Sequence, residues 1–293
     1  LNGALVEWEK IYGEEPSDKS LAMRFEGIIR RACQQEGQSV VILVDEYDKP
    51  MLQAIGDDVL QKSFRNTLKA FYGALKSQDG CIKFALLTGV TKFGKVSVFS
   101  DLNNLNDISM WNKYIDICGV SEQELYDNLD AELHEFANVQ GVTYEEICAR
   151  LKEMYDGYKM GDKEIYNPWS IINYLDKKEV APYWANTSSN SLIGKLIREG
   201  NTQVKESFEL LLNGKEIVTE LDEQIVYDQL DLEETAIWSL LLASGYLKVE
   251  EKIRDDSDYL NWKQLYRLKL TNFEVKVMFA HMVKNWFSKT GGD

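Results

Sequence analysis

Two apolar stretches of strand length, separated by a helical pattern, dominate the first third of the chain. Residues 39–45 and 81–88 predict buried strands of a parallel sheet, with the sequences SVVILVD and CIKFALLT. Residues 18–36 and 57–77 carry apolar side chains at helical spacing. A strand, a helix and a strand in this order have the length of a crossover unit. Residues 1–118 therefore predict an α/β core.

Helical spacing of the apolar residues continues through the middle third, which predicts an all-α domain over residues 119–215. The run from Thr143 to Glu146 is a capping box that begins one helix. Pro168 after Asn167 is typical of the first turn of another. Further helices are predicted over residues 121–138, 188–198 and 202–212.

The last third, residues 216–293, predicts a third kind of segment. An apolar helix is expected over residues 235–243, and it ends at Ser244-Gly245. Residues 246–250 and 265–270 alternate between apolar and polar side chains, as strands do. A helix followed by a β-hairpin is typical of the end of a winged-helix fold. The predicted class is thus α/β followed by all-α, with a winged-helix-like C-terminal segment.

Composition and charge narrow the function classes. Apolar residues make up 44% and charged residues 28% of the chain, which is ordinary for a globular protein. The net charge of −15 disfavours nucleic acid as a general partner. Two histidines cannot build a histidine-based metal cage. The cysteines lack C-x-x-C spacing, which predicts small apolar side chains in a reducing compartment; they are Cys33, Cys81, Cys118 and Cys148.

No signal peptide or membrane-spanning segment is predicted. The longest fully apolar run is Val40–Val44, far shorter than a membrane span needs. The first residues lack a basic stretch followed by an apolar one. The pattern predicts a cytoplasmic protein with no membrane partner.

The strongest chemical signal is the acidic pair Asp45-Glu46 at the end of the first predicted strand. In P-loop ATPases such a strand presents an aspartate that holds Mg²⁺ and a glutamate that activates the attacking water. Thr88 ends the next predicted strand, where a polar residue senses the γ-phosphate of ATP. Ligands bind at the carboxyl ends of strands in open α/β sheets. The alternative is a solvated strand end in which the acids cap a loop and Thr88 bonds to nearby backbone.

A second string imitates a phosphate-binding loop. Residues 89–96 fit G-x-x-x-x-G-K, but Val96 stands where a serine or threonine is needed for Mg²⁺. The residues that follow are β-branched and asparagine-rich, so they make a poor helix start, and the string comes after the acidic strand. We therefore expect no P-loop here. Lys92 and Lys95 remain candidates for phosphate contact.

A metal-dependent nuclease of the PD-(D/E)xK type is a weaker alternative. Such enzymes need a carboxylate and an E-x-K sequence on a neighbouring strand. Glu274 and Lys276 have this spacing, but they lie in a predicted helix. No acid stands two residues before Lys49.

Several motifs occur together in a characteristic order: VVILVDEYDKPML, FALLTGVTKFGKVSVFSDLNNLNDIS, YDGYKMGDKEIYNPWSIINYL, YWANT, LLLASGYLK and LYRLKLTNFEV. In these motifs the chain resembles the AAA-ATPase-like family of uncharacterised bacterial proteins from about residue 39 onward. The resemblance implies a P-loop ATPase core that binds Mg²⁺ and ATP, a helical lid and a winged-helix-like segment. It also implies a PD-(D/E)xK nuclease-like effector domain, fused or separate, after these parts.

The matching motifs assign Asp45 and Glu46 as the acidic strand pair and Thr88 as the sensor. No G-x-x-x-x-G-K-[ST] string stands before residue 39, so the sequence resembles the central part of a longer protein. We expect an ATP-dependent switch module with weak or no ATP hydrolysis of its own. The alternatives are a non-catalytic interaction module and a DNA-binding winged helix, the latter disfavoured by Asp255, Asp256 and Asp258 in the wing.

Overall fold

The structure of the chain is a computed structural model that describes residues 1–89, 98–99, 102–109, 111–114, 117–160, 163–185, 191–221, 234–255 and 263–290. Contacts between Cα atoms divide the chain into two compact units. One contains residues 1–106 and 223–232, and the other contains residues 107–222 and 233–293. The domain boundaries expected after residues 118 and 215 stay predictions.

The first unit has mixed α/β structure. Its elements are α1 (Asn2–Tyr12), α2 (Leu21–Glu36), β1 (Val40–Val44), α3 (Lys49–Gln53), α4 (Asp58–Tyr72), α5 (Ala74–Ser77) and β2 (Ile82–Leu87). Strands β1 and β2 pair in parallel, with Val44 opposite Leu87. The predicted strand, helix and strand are thereby confirmed, and α1 is an additional helix.

One face of the parallel pair is more exposed than the sequence predicts. Ile42 is buried, whereas Val41 and Leu43 are 53% and 70% exposed. Phe84, the partner of Val41 across the pair, is also exposed. Strand side chains alternate between two faces, and α2 packs against β1. The expectation that both faces are buried is wrong for the face that carries Val41, Leu43 and Phe84.

An ion pair fastens α1 to α2. The guanidinium of Arg24 donates to both carboxylate oxygens of Glu9, at 2.7 and 2.6 Å. Glu9 is buried, and the hydrogen bond from Arg24 lowers its pKa below the ordinary value. Because a bidentate pair fixes direction as well as distance, it sets how the two helices meet.

The second unit contains most of the helices of the described chain. Its elements are β3 (Val120–Ser121), α6 (Glu122–Gln140), α7 (Tyr144–Tyr155), β4 (Tyr158–Met160), β5 (Lys163–Tyr166), α8 (Pro168–Lys177), α9 (Ser191–Glu199), α10 (Thr202–Leu212), β6 (Ile217–Glu220), α11 (Glu234–Ala243), β7 (Leu247–Asp255), β8 (Lys263–Leu270) and α12 (Phe273–Thr290). The predicted capping box is confirmed, since Glu146 N donates to Thr143 Oγ1 and Thr143 N to Glu146 Oε2.

The expected all-α character of the middle third is wrong. Strands β3, β5 and β4 form a three-stranded antiparallel sheet in that order. Each strand is only two to four residues long, too short for a period of two to stand out in the sequence. Gly119 and Gly157 precede β3 and β4 with positive φ angles of 96° and 118°, so turns rather than apolar runs begin these strands.

Helices α6, α7 and α8 enclose an aromatic core. Tyr155, Tyr166 and Tyr174 are almost completely buried there beside Phe136. Their burial raises the pKa values of all three phenols above the ordinary value. The hydroxyl of Tyr174 donates to the carbonyl of Ile147 at 3.0 Å. A helical layer with a central tyrosine cluster therefore supports the short sheet.

The end of the described chain contains the expected helix and hairpin. Helix α11 is followed by the antiparallel pair β7 and β8. Strand β6 pairs with the other edge of β8, which gives a three-stranded sheet in the order β6, β8, β7. This confirms the helix predicted over residues 235–243 and the strands predicted over residues 246–250 and 265–270.

Glu274 is a completely buried carboxylate at the start of α12. It accepts hydrogen bonds from Ser170 Oγ at 2.9 Å and from the backbone N–H groups of Trp184 and Ala185 at 2.6 and 3.3 Å. Burial raises its pKa above the ordinary value, and these hydrogen bonds oppose the shift. The E-x-K string thus lies on a helix, as predicted, and its glutamate joins α12 to α8 and to residues 184–185.

Gly157 lies against the backbone that precedes α12. A Cβ atom at this position would stand 2.3 Å from the carbonyl oxygen of Thr271. Its φ of 118° also lies in a region that side-chain-bearing residues avoid. Both the contact and the conformation require glycine here.

We expect Gly157→Ala to lower the free energy of unfolding by about 2 kcal/mol or more, because it adds a clash to backbone strain. Gly141→Ala is the matched control, since Gly141 also has a positive φ but a Cβ there meets open space. It should cost about 1 kcal/mol. Urea unfolding of both variants measures the difference, and equal losses would contradict the assigned close contact.

We expect Glu274→Gln to gain stability relative to the wild type as the pH rises. A carboxyl whose folded pKa is raised favours folding most when it is protonated, and this advantage falls as the pH passes from its unfolded to its folded pKa. The glutamine variant has no such titration. Urea unfolding of both chains between about pH 4 and pH 7 measures the effect. A pH-independent difference between them would refute the assignment.

Candidate functional site

The ends of β1 and β2 bring Asp45 and Thr88 together. Because the strands are parallel and in register up to Val44 and Leu87, the next residue of each lies at the same edge. Backbone hydrogen bonds close this edge: Thr88 N donates to Val44 O at 2.8 Å, and Tyr47 N donates to Thr88 O at 3.0 Å. Thr88 Oγ1 donates to Asp45 Oδ1 at 2.5 Å. Asp45, Glu46 and Thr88 are called the strand-end site below.

Both hydrogen bonds to Asp45 reach the same oxygen. Glu46 N donates to Asp45 Oδ1 at 2.9 Å, beside the bond from Thr88. Within the described residues, no hydrogen bond reaches Oδ2, and the side chain is exposed. One carboxylate oxygen is therefore fixed in place by two donors, while the described residues give the other oxygen none. Mg²⁺ is commonly held in this way, by one or two carboxylates together with water and phosphate oxygens.

Glu46 has a left-handed backbone conformation with a φ of 53°. This conformation is uncommon for residues other than glycine, asparagine and aspartate and costs on the order of 1–2 kcal/mol. The carbonyl of Glu46 accepts a hydrogen bond from Lys49 N at 3.1 Å, which closes a turn at the start of α3. Strained residues of this kind cluster at functional sites.

The Glu46 side chain is exposed and paired with a lysine. Lys49 Nζ stands 2.6 Å from Glu46 Oε2, and about half of each side chain is accessible to solvent. The hydrogen bond to Glu46 raises the pKa of Lys49 above the ordinary value. The sequence analysis did not assign Lys49 to the site, although its spacing three residues after Glu46 is the signal that finds it.

A buried acid, Asp48, lies in the turn that follows the acidic pair. Asp48 is 1% exposed. Burial of the Tyr72 phenol, together with the nearby negative charge of Asp48, raises the pKa of Tyr72 to about 12. A Cβ on Gly89 would stand 2.8 Å from Asp48 Oδ1 and 2.6 Å from Tyr47 Cε1. Gly89 therefore lies against the turn that follows β1, and a larger residue there would displace the side chain of Tyr47 or Asp48. Sequence reasoning missed Asp48 because it considered only the two acids nearest the strand.

The lysine candidates are not placed. Lys92 and Lys95, with most of the string at residues 89–96, lie outside the described residues. The structure therefore brings together Asp45, Glu46 and Thr88 from the predicted set. In the described part of the chain, no group of three or more histidine, cysteine, aspartate or glutamate side chains is arranged to hold a metal ion.

Comparison with known proteins finds a family match over the first unit. Residues 1–99 match the profile of a family described as "Predicted AAA-ATPase". This match confirms the resemblance to the AAA-ATPase-like family. The matched residues include β1, β2 and all three residues of the strand-end site. The AAA-ATPase-like part therefore coincides with the unit that carries the acidic pair.

A longer relative extends the similarity beyond the first unit. A protein of Azotobacter chroococcum mcd 1, described as an uncharacterized protein in the vnfD 5′ region, is 30% identical over 272 residues. The alignment covers 92% of this chain but 47% of the relative, so the chain spans about half the length of the relative that it matches. No solved structure matches the chain.

None of the helices in the described residues combines the length and the apolar character that crossing a bilayer requires.

We expect Thr88→Val to lower the free energy of unfolding by about 1 kcal/mol, because it deletes the hydroxyl donor to Asp45 while keeping the side-chain volume. Thr88→Ser is the matched control, since it keeps the hydroxyl. Urea unfolding of the two variants compares them. A larger loss in the serine variant would mean that packing of the methyl group, and not the hydrogen bond, fixes Asp45.

Proposed function

We propose that the chain is the nucleotide-binding, ATPase-like switch module of an AAA-like ATPase, with a partial P-loop-type core and a lid that combines helices with a short sheet. The observation that carries this proposal is the hydrogen bond from Thr88 to Asp45 at the ends of two parallel strands. It fixes one oxygen of an exposed carboxylate at the edge where α/β sheets bind ligands. The family match over residues 1–99 supports an ATPase-like module.

In this proposal the residues of the strand-end site have separate roles. Asp45 would hold Mg²⁺ through its Oδ2, and Thr88 would orient Asp45 and respond to the γ-phosphate. When it is bound with ATP, Mg²⁺ neutralises part of the negative charge of the phosphates. Lys92 and Lys95 are proposed phosphate contacts from the loop after β2.

Glu46 is the proposed general base for the attacking water. Its carboxylate now accepts from Lys49, so it has to leave that ion pair before it takes a proton. Exposed pairs of this kind are worth about 0–1 kcal/mol, so the pair opens at small cost. Because the sequence has no G-x-x-x-x-G-K-[ST] string before residue 39, we expect weak or no hydrolysis by this chain alone.

The C-terminal helix and hairpin are proposed to be a winged-helix-like interaction segment. Three of its cations are paired with acids: Lys248 with Glu164 and Glu250, Lys263 with Glu220, and Arg267 with Glu216 and Glu251. Paired cations offer little free charge to a phosphate backbone. This observation favours a protein partner over DNA, and the nuclease-like effector domain implied by the family resemblance is the proposed partner.

We expect Mg-ATP to raise the thermal unfolding midpoint of the chain, because a ligand that binds only the folded state stabilises it. At ten times its dissociation constant the gain is about 1.4 kcal/mol. Asp45→Asn should abolish the rise. Glu36→Gln, which removes one charge from the exposed end of α2, should keep it.

Glu46→Gln separates binding from hydrolysis. It should keep the rise in midpoint while reducing any residual turnover to the rate without protein. A wild-type chain that shows no rise with Mg-ATP, or an Asp45→Asn variant that keeps it, would refute the nucleotide-binding proposal for these residues.

A further inference from the structure

A cavity in the second unit lies where α7, the chain after α8 and the start of α12 meet. It has a volume of about 300 Å³ and is lined by Arg150, Glu153, Met154, Val180 and Phe273. The first three of these residues belong to α7, and Phe273 is the first residue of α12. Binding sites for small molecules begin at about 300 Å³, so the cavity can accommodate a small metabolite.

One buried tyrosine holds the walls of the cavity together. Tyr155, the last residue of α7, is completely buried. Its carbonyl accepts a hydrogen bond at 3.2 Å from Asn272 Nδ2, next to Phe273. Its hydroxyl donates to the carbonyl of Ala181 at 2.8 Å and accepts from the N–H of Ala181 at 3.3 Å, next to Val180. Both neighbouring segments are therefore fastened to α7, so the cavity is formed before a ligand arrives.

Three of the lining side chains are apolar. Met154 is buried, whereas Val180 and Phe273 keep 43% and 44% of their surface exposed. Free energy is gained when a ligand removes such apolar surface from water. The cavity therefore offers contacts from three different segments to an apolar group of a ligand.

The other two lining side chains carry opposite charges. Arg150 and Glu153 are exposed and lie three residues apart on α7, which makes them neighbours on the helix surface. Within the described residues, neither of them belongs to an ion pair. Both charges are therefore available to a ligand. A cation beside an anion is complementary to a ligand that carries a carboxylate and an ammonium group close together.

We propose that this cavity binds a free amino acid with an apolar side chain, such as phenylalanine or leucine. Arg150 holds the carboxylate, because a guanidinium can donate two parallel hydrogen bonds to it. Glu153 accepts from the ammonium group, and the apolar side chain of the ligand lies against Met154, Val180 and Phe273. The proposal does not depend on nucleotide binding, since all the lining residues belong to the second unit.

The two charges also select against ligands that carry only one of the two groups. A simple carboxylate bound at Arg150 is repelled by Glu153, and a simple amine bound at Glu153 is repelled by Arg150. Such repulsion contributes to specificity as much as the favourable contacts do. The cavity should therefore prefer an amino acid to a carboxylic acid or an amine with the same apolar group.

The test titrates the whole chain with L-phenylalanine by isothermal titration calorimetry. The comparison ligands are 3-phenylpropionate, which lacks the ammonium group, and 2-phenylethylamine, which lacks the carboxylate. We expect L-phenylalanine to bind with a dissociation constant on the order of 1 mM or below, and each analogue to bind at least about tenfold more weakly. Absence of phenylalanine binding, or an analogue that binds as tightly as phenylalanine, would overturn the proposal.

Charge-removing variants assign the two polar contacts. Arg150→Gln should weaken phenylalanine binding about tenfold, while 2-phenylethylamine should bind no more weakly than to the wild type. Glu153→Gln should weaken phenylalanine binding to a similar extent, while 3-phenylpropionate should bind no more weakly. Glu145→Gln, which removes a charge from an exposed position of α7 outside the cavity lining, is the matched control and should bind phenylalanine like the wild type. Wild-type affinity in both cavity variants would show that the ligand binds elsewhere and that the assignment is wrong.

Discussion

The parallel pairing of β1 with β2 is the constraint on which the candidate site depends. It places Asp45 and Thr88, which are 43 residues apart in sequence, within one hydrogen bond. Backbone bonds from Thr88 to Val44 and from Tyr47 back to Thr88 continue the pairing past the last strand residues. The side chains at this edge are therefore positioned by the sheet ladder, which is more rigid than a loop. A one-residue slip of register would turn Thr88 to the other face and separate it from Asp45.

The turn after β1 combines strain with close packing. Glu46 takes a left-handed backbone, Asp48 is buried, and Gly89 approaches both Tyr47 and Asp48. The left-handed backbone of Glu46 costs free energy. The turn therefore persists because the packing around it, at Asp48 and Gly89, holds it in place. As a result, the neighbouring acids differ in their exposure to solvent. Asp48 is inside and structural, while Asp45 and Glu46 stand outside, where a ligand can reach them.

Sequence patterns predicted the long elements, and the strand ends at which Asp45 and Thr88 meet, better than they predicted the short strands. The helices α2, α4 and α7 follow apolar periodicity and the strands β1 and β2 are continuous apolar runs, so both kinds of element could be predicted. The strands β3, β4 and β5 depend on glycine turns and tertiary contacts, which leave no periodic pattern in the local sequence. Asp45 and Thr88 were identified because each ends an apolar run. Lys49 and Asp48 were missed because their roles depend on a left-handed backbone at Glu46, which no sequence pattern predicts.

In the proposed function, electrostatics makes the Asp45 oxygen without a hydrogen bond more important for nucleotide binding than the nearby lysine. The strand-end site carries two exposed carboxylates, and the only cation that the described residues place there, Lys49, is already paired with Glu46. The chain as a whole carries a net charge of −15. The negative charge at this edge would therefore repel a triphosphate unless a divalent cation stood between the phosphate oxygens and Asp45. In the proposed function the carboxylate that repels the nucleotide alone is the group that recruits it as a magnesium complex.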